Sequence, residues 1–129
     1  MPLFRTSSLP VDRQWPSWCE FSAGGIFTVA PRGRFDRHYH DCDEYWLVFE
    51  GKARVLSEGV EYEVVRGDIV CTRAGDEHDV LAVDGDFAAF FLEDELLPGG
   101  KPGHLHRSAE LADGHVVPPM IVATPGPGA

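Results

Sequence analysis

The chain has 129 residues, 43% hydrophobic and 25% charged, and a formal charge of −10 from 11 Lys and Arg against 21 Asp and Glu. That length makes one domain, able to bury roughly two thirds of the surface its unfolded chain exposes without a covalent staple. The acidic balance excludes sequence-independent binding to nucleic acid and to anionic membrane surfaces, which leaves small molecules, cations and other proteins as partners.

In chain order, Met1–Ser8 lacks a basic-then-apolar signal pattern, and no apolar run approaches the ~18 residues of a membrane span, so a soluble, cytoplasmic protein is expected. Residues 1–22 set Trp15, Trp18 and Phe21 among prolines and polar residues. This reads as an irregular N-terminal arm whose aromatics pack on a barrel or on a partner. From Gly24 the texture changes to short runs rich in β-branched and aromatic residues, at 26–30, 45–50, 53–57, 60–65, 69–72, 79–83, 87–92 and 116–123. Glycine-bearing turn signals separate them, at 50–52, 57–59, 66–68, 74–77 and 84–86, and this pattern predicts an all-β antiparallel sandwich or barrel over 23–123. Ser108–Asp113 is the one short helical candidate, and the Pro- and Gly-rich 124–129 is expected as a flexible tail. Cys19, Cys42 and Cys71 are odd in number and have no Cys-x-x-Cys spacing, which fits three reduced thiols rather than a disulfide framework or thiolate zinc site.

Chemistry concentrates in Arg34–Gly51, RFDRHYHDCDEYWLVFEG. His38, His40 and Glu44 stand at offsets of two and six, so in an extended segment they share one face. A second segment, Gly67–Ala82, offers His78. Three neutral nitrogens and one carboxylate oxygen suit a divalent Mn, Fe, Co, Ni or Zn ion. The same parity turns Trp46 and Val48 inward and Tyr45, Leu47 and Phe49 outward. Because both faces are apolar, both are expected to be covered, the outer one by a homodimer partner.

These residues resemble the two motifs of a small single-domain cupin. Gly33, His38, His40, Glu44 and Gly51 follow the first motif, with Gly33 one residue closer to the histidine pair than the usual spacer. Gly67, Gly75 and His78 follow the second, with Arg73 in place of its usual proline and Ala82 in place of its asparagine. The resemblance implies an antiparallel jelly-roll β-barrel with one metal ion held inside by His38, His40, Glu44 and His78. It implies fold and metal far better than reaction, since cupins include isomerases, lyases, cyclases, dioxygenases and plain binding proteins.

The expected function is metal-dependent chemistry on a small oxygenated substrate, isomerase-, lyase- or cyclase-like, by Lewis-acid polarisation and proton transfer. An Fe(II)-dependent dioxygenase and a non-catalytic binding or sensing module are the alternatives. Tyr62 is the candidate acid or base. Arg34, Arg37 and Trp46 are the candidate substrate contacts, although solvation of the arginines and packing of the two rings are the plainer readings. His104, His106 and His115 lie outside both motifs, as surface residues or, for the 104–106 pair, as a lid over the barrel mouth.

Overall fold

The computed structural model describes residues 3–7, 15–107 and, by backbone alone, 120–122. The expected helix at 108–113, His115 and the tail at 124–129 lie outside the described residues. Six strands form the fold: β1 (Ala23–Val29), β2 (Glu44–Ser57), β3 (Val60–Val65), β4 (Ile69–Thr72), β5 (His78–Glu93) and β6 (Met120–Val122). They build one antiparallel sheet in the order β3-β2-β5-β1-β6, with β4 also paired to β2. Among the described residues there is no helix long and apolar enough to cross a membrane.

Two of the anticipated turns are corners within continuous strands. The runs at 45–50 and 53–57 are one strand, β2, and those at 79–83 and 87–92 are one strand, β5. The cause lies at Gly51, whose φ is +82° and at which a Cβ would collide with the Asp86 carbonyl oxygen. Register shifts in the β2–β5 ladder fall at Val48/Glu50 and Glu50/Lys52, so the extra residues bend both strands without reversing them. β3 and β4 lie on the same edge of β2, interrupted only by the Arg66-Gly67-Asp68 turn, which Val48 holds from both sides at 2.8 and 2.9 Å.

The corner decides the shape. Thirteen steps separate Glu44 from Ser57, ~43 Å in a straight strand. Yet Ser57 Oγ bonds the hydroxyl of Thr72 and, at 3.1 Å, the Cys71 carbonyl, while Thr72 is the register partner of Glu44. The sheet therefore curls until the two ends of β2 face each other. The hydrogen-bonded ladder stays open along this seam, which side chains close instead. Inside the curl Phe27 is central, with ring centroids 5.1 Å from Trp46, 5.6 Å from Phe35 and 6.3 Å from Phe87.

Over the outside of the sheet, Trp15 stacks on Phe4 at 3.8 Å and lies against Gly24, where any Cβ would sit under 3 Å from its ring. Trp18 does not pack on the sheet of its own chain: it is 76% exposed. The parity of β2 is as read from sequence, with Glu44, Trp46 and Val48 buried and Phe49 exposed.

Candidate metal centre

His38 and His40 do not lie on β2. They sit on a separate short extended segment beside the start of β5, where His38 and His78 exchange backbone hydrogen bonds at 2.9 and 3.3 Å. Directly opposed residues share a face, so the two imidazoles meet, Nε2 to Nε2 at 2.8 Å. Between this segment and β2 the chain bends. The bend is held by Asp41, whose carbonyl accepts from Leu97 and whose carboxylate accepts from Lys101, and by Asp43, which does the same for Asp94 and Ala74, all at 2.8–2.9 Å. Glu44 then enters as the first residue of β2.

Four side chains converge. His40 Nε2 is 3.1 Å from His38 Nε2 and 3.4 Å from Glu44 Oε2, and His78 Nε2 is 3.1 Å from Glu44 Oε1. One donor atom from each of His38, His40, Glu44 and His78 lies within 4.8 Å of all the others, and all four residues are buried. Ligands held at about 2.1 Å by a first-row ion are roughly 3 Å from their neighbours, close to these separations.

The hydrogen bonds show that the cluster suits a cation. The Nδ1–H of His40 donates to the Gly103 carbonyl at 2.9 Å, and the Nδ1–H of His38 donates to the Asp36 carbonyl. A carbonyl only accepts, so both rings carry their proton on Nδ1 and present bare Nε2 lone pairs to each other. A positive ion between them removes that repulsion. Burial holds all three imidazoles below their ordinary range, His40 down to about 4, so they stay neutral donors. The indole Nε1–H of Trp46 donates to Glu44 Oε1 at 2.9 Å. Among the described residues His78 Nδ1 is buried without a hydrogen-bond partner, and packing orients this ring, 4.7 Å from Trp46 and 6.0 Å from Phe35.

Burial also lifts two adjacent carboxyls. Glu44 is raised first by burial and then by the charge of Glu93, its register partner on β5, and burial pushes Glu93 up to about 7. A Glu44 carboxyl that still holds its proton must give it up to a dication, whereas the neutral imidazoles have no proton to lose. Metal affinity should therefore rise with pH as Glu44 ionises. Titrations with Zn(II) between pH 5.5 and 8 check this: proton release should accompany binding, and a pH-independent affinity would contradict it.

Trp46 faces inward as expected, is 2% exposed and donates to Glu44. Tyr62, register partner of inward-facing Val55, is nevertheless 49% exposed because β3 is an edge strand. It lines a cleft of about 380 Å³ with Ser57, Val64, Asp68 and Val70, a lining that includes none of the three imidazoles. Arg37 pairs with Asp79 at 2.9 Å, and Arg34 is exposed. Burial pushes the Cys42 thiol up to about 12, which leaves it unreactive at neutral pH.

Asp36, Glu93 and Gly103 were not singled out for the site, whereas His104 was expected, with His106, as a surface residue or part of a lid over the barrel mouth. Asp36 shares the parity of His38 and His40, a signal present in the sequence. Glu93, with Oε1 3.3 Å from His40 Nδ1, has none, because strand register alone brings it there.

The Cupin domain family matches residues 25–93, just over half of the chain. The chain belongs to the cupin domain family. This cupin is 41% identical over 71 residues to the uncharacterized protein y4oW of Sinorhizobium fredii, a match covering 55% of the chain and 33% of that relative. It is 36% identical over 55 residues to the HTH-type transcriptional activator RhaR of Pectobacterium carotovorum, covering 43% of the chain and 19% of the activator. Among solved structures, a Cupin 2 conserved barrel domain protein from Salinispora arenicola superposes with a TM-score of 0.52 at 24% identity, covering 80% of this chain and 76% of that one. The cupin thus spans a third or less of the curated relatives it matches.

Proposed function

We propose that this cupin is a metal-dependent small-molecule enzyme acting on an oxygenated substrate by polarising a carbonyl and moving a proton beside it. The observation that carries the reading is the donor set. Three neutral imidazoles and one carboxylate offset only one unit of a divalent ion's charge, and an ion so held supplies Lewis acidity. His38, His40 and His78 hold and orient it. Trp46 fixes Glu44, and Glu93 keeps an ionisable proton beside His40.

Incubating the Mn(II)- or Zn(II)-loaded protein with hydroxy-ketones, keto acids and sugars in D2O tests the reading. Deuterium should enter carbon next to a carbonyl, and chelation should abolish the exchange. Oxygen uptake with Fe(II) and no deuterium exchange would favour the dioxygenase instead. A second reading, a ligand-sensing module, rests on the similarity to the RhaR activator. Saturable binding without either reaction would favour it.

A second copy of the chain is the proposed cover for the outer sheet face. Register pairs set Ile26 beside Phe90, Phe90 beside Leu47 and Leu47 beside Ile69, and Phe49 meets Phe90 with centroids 4.9 Å apart. Phe49, Ile69 and Phe90 are 37%, 60% and 39% exposed, and contiguous exposed apolar patches of this kind mark protein contacts. None of the five residues is charged, so two copies of a chain with net charge −10 meet here without opposing their carboxylates. Sedimentation should show a dimer, and Phe90→Glu a monomer; a wild type that is monomeric at ~50 μM, a concentration at which micromolar dimers form, would rule the dimer out.

A further inference from the structure

After β5 the chain crosses back over the metal centre as a strap. It is tied at Asp41, which takes the amides of Leu97 and Lys101 at 2.9 Å each, and Gly100 packs so tightly there that a Cβ would sit 2.9 Å from the Asp41 side chain. Leu105 then exchanges backbone hydrogen bonds with Tyr39, the residue between His38 and His40, at 2.9 and 3.0 Å. Arg107 closes the strap by donating to the Gly75 carbonyl and lying 5.0 Å over the Tyr39 ring.

The strap reaches the backs of two candidate ligands. The Gly103 carbonyl accepts from His40. The His104 ring lies on the His38 ring at 3.6 Å and 8° from parallel, while its Nδ1 is 2.9 Å from Asp36 Oδ2. His106 Nε2 is 2.9 Å from both Asp36 oxygens. Asp36 thus carries two strap imidazoles on its carboxylate and His38 on its carbonyl.

We infer that His104 is a positioning residue for the metal centre, which it serves through His38 and Asp36, and that the strap is ordered by metal and holds metal in turn. The inference rests on the reading of His38, His40, Glu44 and His78 as ligands. Ring orientation is the physical link. A ligating imidazole must keep both its tautomer and its plane, and losing the groups that hold them costs typically 10–100-fold in affinity. Here the plane of His38 is set by a flat contact with His104, and its Nδ1 proton by the carbonyl of a residue that the strap anchors. Binding at one side of the ring and order at the other are then two sides of a single equilibrium.

Co(II) is the probe, read by visible absorption, by competition for affinity, and by hydrogen exchange at the Leu105 amide. His104→Ala should weaken Co(II) binding by about 10–100-fold and alter its spectrum. His104→Phe, which keeps a flat ring against His38, should return the spectrum toward wild type. In the wild-type protein, the Leu105 amide should exchange at least tenfold more slowly with Co(II) bound. If the wild type binds Co(II) but Leu105 exchange is unchanged, or if His104→Ala binds with wild-type affinity and spectrum, the strap inference falls and the ligand reading stands. If the wild type binds no Co(II), both fall. Should His104→Ala fail to fold, Leu105 exchange in the wild type decides alone.

Discussion

Protein purified without chelator should hold close to one first-row transition metal ion per chain, and His78→Ala should lose nearly all of it. His78 comes from β5 and Glu44 from the opposite end of β2, so the four donors meet only in the folded protein. An ion that binds only the folded state adds roughly 4 kcal/mol of stability when present at about a thousand times its dissociation constant. For a domain of this size that is an upward shift of the melting temperature on the order of 10–15 °C. Chelation should remove the shift, and His78→Ala and Glu44→Gln should be insensitive to chelator. Tyr62→Phe is the control, since Tyr62 lies half exposed on β3. Elemental analysis and thermal melts with and without chelator make the measurement. A wild type free of metal and indifferent to Mn, Fe, Co, Ni and Zn would end the metal reading, and a His78→Ala protein with full metal content would mean that the ligands are other residues.

The second large effect is expected at the corner of β2. Gly51→Val must force a β-branched residue into a backbone with φ +82° and drive its Cβ into the Asp86 carbonyl. Left-handed backbone alone costs a non-glycine residue about 1–2 kcal/mol, and overpacking adds another 1–3 kcal/mol. A total near 4 kcal/mol is a large part of the 5–15 kcal/mol that typically holds a domain together. Gly51→Val should therefore be insoluble or unfolded at 37 °C, and because the corner brings Glu44 to His78, it should not retain metal. Gly85→Ala, at φ +74° with nothing within 4 Å of the added carbon, should cost only the backbone share, about 1–2 kcal/mol. Urea unfolding followed by circular dichroism separates the two. Equal stability of Gly51→Val and wild type would mean that β2 does not turn at this residue.

Both expectations show what the sequence carried and what it did not. Alternation along 44–48 was enough to place Glu44, Trp46 and Val48 inside, because side-chain direction in a strand follows parity. The same rule paired His38 with His40. It could not show that Asp41–Asp43 bend the chain before β2, since those acids act on loop amides some 30 to 60 residues away. Glycine signalled a change of direction at 50–52 and at 84–86, but a corner within a strand and a hairpin between strands use the same residue. Which one forms depends on the neighbour, here Asp86 against Gly51. Tyr62 had the right parity and the wrong depth, because parity gives the face and edge position gives the exposure. Glu93 and His104 reach the site through register and strap pairing, contacts between residues 53 to 68 positions apart that local pattern does not encode.

The open seam gives the metal centre a mechanical meaning. Ser57 and Thr72 meet where the sheet fails to close, His78 stands opposite Ser57 in register, and Glu44 stands opposite Thr72. The two lips of the seam thus each contribute to the same four-residue knot. An ion tied there would act as a buckle on an unfinished hoop, and its release would free the lips to part.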